Sequence, residues 1–278
     1  MGASGRLPSV RFAVSSPNIG PVDELIRLAT EAERMGWDAF FLWDHLHLVR
    51  ALHLDVHDPW VVLGAVAQAT ERIRLGTLVT PVARRRPWKL AKEIITLDHL
   101  SGGRVIIGVG LGYPGDEEFG AFGDVPDDRV RAERLDEGLV VLDAALRGEP
   151  IDFHGKHFTV DADLAPRAVQ HPRPPIWVAA MQPSRRPLRR AARFEGVVPL
   201  GEHGQAAAPK LIVDYLASEP SLGAALDRDD FDLVMSWAPD TDWRDYERAG
   251  ATWLVDSTWP ADDGMADLAR RVGQGPPR

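Results

Sequence analysis

The residues in this chain best suited to chemistry stand where short apolar runs end. Ala39 to Trp43 closes into Asp44-His45-Leu46-His47. An imidazole changes charge near pH ~6.5, so His45 beside a carboxylate is a candidate general acid or base. The same residues also allow a plainer arrangement, in which Asp44 caps a turn and His45 packs against it. A second run, Val105 to Val109, breaks into Gly110-Leu111-Gly112-Tyr113. Glycine there lets the backbone come close to a planar or phosphorylated ligand. A third, Ile176 to Ala179, leads into Ala180-Met181-Gln182-Pro183-Ser184. Its small side chains and free N–H groups, helped by Arg185 or Arg186, would hold a phosphate, or else form a plain loop with surface arginines. Arg84-Arg85-Arg86 reads as a solvated loop rather than an anion site. His45, His47, His53, His57 and Asp58 hint at a metal-dependent hydrolase. They share one loop, however, whereas a catalytic metal needs ligands from other strands. No metal is expected.

These loops need elements to carry them. Glu71 to Tyr113 reads as strand, loop, helix, turn, strand and glycine-rich loop, which is one parallel β-helix-β crossover. Strands are expected at Val10–Val14, Ala39–Trp43, Arg74–Leu78, Val105–Val109, Ile176–Ala179, Gly196–Pro199, Phe231–Ser236 and Thr252–Val255. Helices are expected at Pro21–Met35, Pro59–Thr70, Pro87–Leu100, Asp128–Arg147, Pro187–Phe194, Ala206–Ser218, Asp242–Arg248 and Gly264–Val272. Eight strands, each followed by a helix, give an α/β fold of the (β/α)₈ TIM-barrel type. An open doubly wound sheet would carry a Gly-rich turn after its first strand, and Val14 leads instead into Ser15-Ser16-Pro17-Asn18. The stretch 148–175 is long for a connection and reads as an insertion between helix 4 and strand 5, lid-like at the barrel mouth. The chain is expected to be a single domain over 1–278, with 273–278 a disordered tail.

Composition removes whole classes of function. The chain has 278 residues, 45% hydrophobic and 26% charged, which is ordinary for a globular protein. A net charge of -9 disfavours a nucleic-acid partner, because such proteins present a basic face. There is no cysteine, which removes disulfides, thiolate catalysis and Cys-ligated metals, and agrees with a cytoplasmic location. The opening MGASGRLPSV shows no apolar secretory core and resembles a myristoylation start only loosely. No apolar run is long enough for a membrane span, so no membrane partner is expected.

Four blocks then carry a resemblance: ERIRLGTLVTPV, RRPWKLAKEIITLDHLSGGRVIIGVGLGY, FHGKHFTV and RPPIWVAA. Together, and in their spacing, they resemble the bacterial luciferase-like monooxygenase family over about Val10 to Leu200, with a weaker match at ATWLVDSTWP. The resemblance implies a TIM barrel, usually dimeric, with the deazaflavin F420, or alternatively FMN, across its mouth. It places Trp43, Asp44 and His45 beside the ring, His45 being catalytic. It makes Gly76 to Pro81, including Thr77 and Val79, a bulge behind the ring that in relatives often holds a non-prolyl cis peptide. Gly110 to Tyr113 would border the cofactor's side chain, and Ala179, Ala180, Met181 and Ser184 its phosphate. Two departures stand out. Met181-Gln182 replaces a pair of glycines found in many relatives. Gly110-Leu111-Gly112-Tyr113 lacks the Glu of the sugar-phosphate dehydrogenases, which points away from sugar oxidation. The expected protein is therefore a flavin- or F420-dependent oxidoreductase, a homodimer acting on a small, mostly apolar molecule. A non-catalytic flavin-binding barrel is the alternative.

Overall fold

A computed structural model of the chain describes residues 10–201, 206–237, 240–260 and 263–277. The first nine residues, including the MGASGR start, lie outside the described residues, as does Arg278. Eight parallel strands close a barrel: β1 (Arg11–Ser16), β2 (Ala39–Leu42), β3 (Arg74–Pro81), β4 (Val105–Gly110), β7 (Ile176–Met181), β8 (Gly196–Leu200), β9 (Asp232–Ser236) and β10 (Trp253–Ser257). Around the barrel they run β1-β10-β9-β8-β7-β4-β3-β2. All eight strands read from the sequence are present, with bounds moved by a few residues. The helices around them are α1 (Val22–Met35), α2 (Pro59–Ala69), α3 (Pro87–Ser101), α5 (Asp128–Arg147), α6 (Arg186–Ala191), α7 (Pro209–Ala217), α9 (Trp243–Arg248) and α10 (Gly264–Gln274). Two short helices escaped the periodicity: α4 (Gly115–Glu118), a single turn, and α8 (Pro220–Leu226). The last helix runs on through Gly273 and Gln274, inside the stretch expected to be a disordered tail.

Local chemistry sets the ends. Asp58 accepts a hydrogen bond from the Val61 N–H and starts α2, as Asp127 does from Val130 for α5. Gly36 stops α1 at φ 87°, a left-handed conformation that glycine adopts without steric cost.

Side chains alternate in and out along each strand. The outward set packs against the helices, and the inward set is Ala13, Ala39, Phe41, Ile106, Trp177, Val198, Val234, Trp253 and Val255. Phe41, Trp177 and Trp253 stack 5.5 and 5.3 Å apart and fill the lower barrel. Asp232 closes that end, accepting from Arg11 at 2.6 Å and from the Trp177 indole at 3.2 Å. Chemistry is thereby confined to the other end, where the strands finish.

The 148–175 segment corrects one expectation. It does not cover the mouth. Its two strands, β5 (Ile151–His154) and β6 (Thr159–Ala162), pair as a separate antiparallel hairpin outside the barrel. Glu137 of α5 accepts the backbone N–H groups of Lys156, His157 and Phe158, and Phe158 packs edge-on to Trp88 of α3. The chain then returns to the lower end, where Asp98 of α3 accepts from the N–H groups of Val169 and Gln170. The insertion therefore braces the α3–α5 flank.

Candidate active site at the barrel mouth

The β3–β4 pairing slips between Thr77 and Thr80, and the bulge there contains a cis Leu78–Val79 peptide. Its room comes from glycine. A Cβ at Gly110 would lie 2.8 Å from Val79 Cγ2, and one at Gly108 would lie 2.5 Å from the Thr77 carbonyl. Leu78, Val79, Gly110, Ala179 and Met181 thus make a low apolar wall along β3, β4 and β7.

Trp43 and His45 stand across the opening, their rings 5.7 Å apart. His45 belongs to a loop held from below. Asn18, fully buried, donates through Nδ2 to the carbonyls of His45 at 2.9 Å and His57 at 2.7 Å. Glu118, at the end of α4, is the other anchor. Its carboxylate accepts the N–H groups of Leu46 at 3.0 Å, His47 at 3.2 Å and Leu48 at 2.6 Å. It also pairs with Arg84, and its Oε1 lies 3.4 Å from Nδ1 of His45. With Nδ1 turned down to Glu118, Nε2 is the nitrogen left for the mouth.

Asp44 is placed differently from its expected role beside the ring. Its side chain is buried and fully engaged: Arg84 at 2.7 Å, Arg85 at 2.8 Å and Thr80 at 2.8 Å. The arginine run read as a solvated loop is instead largely a buried charge network. Arg84 bridges Asp44 and Glu118, and Arg85 bridges Asp44 and Glu93. Only Arg86 is exposed, over Trp88. Composition cannot reveal partners that arrive from other loops, which is why the run looked solvated.

The remaining expected site residues divide. Val79, Gly110, Ala179 and Met181 point into the mouth. Thr77 is buried with its hydroxyl 2.8 Å from Thr80, and Ala180 packs toward the helices, so both reach the mouth only through backbone. Tyr113 is half-exposed on the rim, and Ser184 is exposed after β7. Nε2 of Gln182 is buried without an acceptor beside them. His47, by contrast, turns to the Glu117 carbonyl at 2.7 Å. Among the described residues no group of three or more His, Cys, Asp or Glu gathers as metal ligands would. Sequence reasoning missed Glu118 and Asn18, and neither carries a local signal: Leu46 and Glu118 are 72 residues apart.

Burial would raise the Glu118 pKa. The His45 ring 3.4 Å away, the hydrogen bond from the Leu46 N–H and the charge of Arg84 outweigh burial and hold it at about 2, against an ordinary value of 4.5. A depressed carboxylate stabilises the fold above its unfolded pKa and loses that contribution as pH falls through the folded one. Between pH 4.5 and about 2, Glu118 is expected to surrender on the order of 3 kcal/mol. Urea unfolding of wild type and Glu118→Gln across this range checks it. The two stability curves should converge toward acid, and parallel curves would refute the coupling.

Residues 7–234 match the luciferase-like monooxygenase family profile. An F420-dependent glucose-6-phosphate dehydrogenase of Microbacterium testaceum (strain StLB037) is 33% identical over 251 residues, 83% of this chain and 69% of that protein. An uncharacterized protein, y4wF, of Sinorhizobium fredii (strain NBRC 101917 / NGR234) is 37% identical over 164 residues, 57% of this chain and 45% of that one. The chain spans about half the length of most of the curated relatives it matches. Among solved structures, the coenzyme F420-dependent tetrahydromethanopterin reductase from Methanopyrus kandleri superposes with a TM-score of 0.74 at 20% identity. It covers 95% of this chain and 97% of that one, a likeness of fold. With the barrel, the bulge and the profile in agreement, the chain belongs to the luciferase-like monooxygenase family.

Proposed function

We propose that this protein is an F420-dependent oxidoreductase acting on a small, mostly apolar organic molecule, with FMN as the alternative cofactor. The observation that carries the reading is the mouth itself. A glycine-cleared apolar wall on β3, β4 and β7 faces an imidazole whose far nitrogen lies 3.4 Å from a buried carboxylate. A flat heterocycle fits that wall, since Gly110 presents no side chain and Ala179 only a methyl group. At the polar end, the unpaired Gln182 amide offers a buried donor to a cofactor oxygen. Trp43, Val79, Gly110, Ala179 and Met181 would hold the ring, Tyr113 and Ser184 the tail. Thr77 and Ala180 contribute backbone, and Asp44 acts from beneath through Arg84 and Arg85.

When bound, the cofactor supplies the two-electron chemistry that no side chain here provides. His45 holds or delivers a proton at Nε2 while Glu118 holds the loop that carries it through the N–H groups of Leu46, His47 and Leu48. The bulge backs the site, and the wall excludes water from it. The relatives named as sugar-phosphate dehydrogenases do not extend that substrate to this chain. Glu118 is ionised and enclosed, so it cannot serve as an acid toward a sugar. The same reading makes the chain a cytoplasmic homodimer; no helix among the described residues is long and apolar enough to cross a membrane.

Cofactor titration tests the proposal. Saturable uptake of F420, read by its visible absorbance and fluorescence, is expected to be tighter than uptake of FMN. Tighter FMN binding would select the alternative, and uptake of neither would end the reading.

A further inference from the structure

The inward positions at the top of the barrel are unequal around its circumference. On β3, β4, β7 and β8 they are hydrocarbon: Leu78, Gly110, Ala179, Met181 and Leu200. On β9, β10 and β1 they are hydroxyls. Ala13, Val234 and Val255 face the barrel interior, so two residues further along each strand Ser15, Ser236 and Ser257 face it too. Ser15 and Ser257 are register partners, and Ser236 pairs with Val255 just below.

Two of these three O–H groups have no acceptor among the described residues. Ser15 is 2% exposed and accepts from the Trp43 indole at 3.2 Å, and its own O–H reaches no acceptor among the described residues. Ser257 donates to the Ser15 carbonyl at 2.7 Å. The Ser236 hydroxyl has no protein partner among the described residues. A donor as buried as Ser15 costs free energy unless something accepts from it. Above the arc stands Trp259, 53% exposed, its ring 6.1 Å from that of Trp43. A wide, half-exposed indole next to a second one offers flat apolar contact at the entrance.

We infer that the substrate is an apolar molecule bearing a carbonyl or hydroxyl oxygen. Its oxygen is taken by the Ser15 and Ser236 hydroxyls of this arc, with Ser257 bracing the Ser15 carbonyl, and its body is covered by the Trp43–Trp259 pair. This rests on the oxidoreductase reading and sharpens it, because the hydrocarbon half of the mouth is left to the cofactor and the hydroxyl half to the substrate.

The test compares matched probes on F420-loaded protein by ligand-observed NMR titration. Cyclohexanone, acetophenone and 2-octanone are each set against the analogue with C=CH₂ in place of C=O. A site built to hydrogen-bond an oxygen rejects the analogue lacking it, so wild type is expected to favour at least one ketone by about tenfold or more. In the variant Ser236→Ala that preference should fall to about threefold or less, with F420 uptake unchanged. Trp259→Ala should weaken both members of a pair alike. No preference in any pair, or a preference intact in Ser236→Ala, overturns the arc. A preference that changes in Trp259→Ala overturns the division of roles. Failure of F420 to bind at all is read beforehand on the same samples and counts against the cofactor, not against the arc.

Discussion

Replacing Glu118 by alanine should cost about 3–5 kcal/mol of stability, the range for removing one partner of a buried ion pair. The side chain is 1% exposed, and its removal strands several groups together. Arg84, itself only 10% exposed, keeps Asp44 but loses its second anion. The N–H groups of Leu46, His47 and Leu48 lose their acceptor, and each buried donor left unpaired carries its own penalty. Glu118→Gln should lose less, since an amide oxygen still accepts some of these donors. Its NH₂, though, must turn toward either Arg84 or the loop, and both are donors. Urea denaturation at neutral pH measures both variants. A loss below about 1 kcal/mol for Glu118→Ala would mean the network relaxes at little cost, and the loop after β2 would not depend on it.

That the anchor of the candidate site went unread, while the barrel was read strand by strand, has a physical cause. A barrel strand is buried on both faces, so it appears as a short apolar run such as Val105–Gly110 whatever its neighbours are. Strand ends are equally local, and Trp43 and His45 were found because Ala39–Leu42 stops beside them. Glu118 looks like any surface acid in a Gly-Asp-Glu-Glu turn. What makes it special is that the loop after β4 folds back on the loop after β2, a fact of topology that no window of sequence contains. The same holds for Arg84 and Arg85, whose burial depends on Asp44. The insertion of 148–175 was recognised from its length, and its place was misjudged. Its docking is decided by Glu137 and Trp88, which belong to other elements.

The second large effect expected is kinetic. His45→Asn should lower turnover by roughly 10²–10⁴-fold, the usual contribution of a positioned acid or base, with cofactor uptake retained. The variant is a clean probe because what holds this loop is backbone. Asn18 binds the His45 carbonyl, and Glu118 binds the N–H groups of the three residues that follow. Asparagine leaves all of these in place and removes only the titrating ring. The limb of the pH–rate profile that belongs to the imidazole should vanish with it. Glu118→Gln then separates placing the proton from carrying it. It keeps the imidazole and removes the negative charge 3.4 Å from Nδ1, so its rate should fall less than that of His45→Asn. Wild-type turnover by His45→Asn with cofactor bound would strip the imidazole of any part in proton transfer. The buried carboxylate beneath it would then be an anchor for the loop and nothing more.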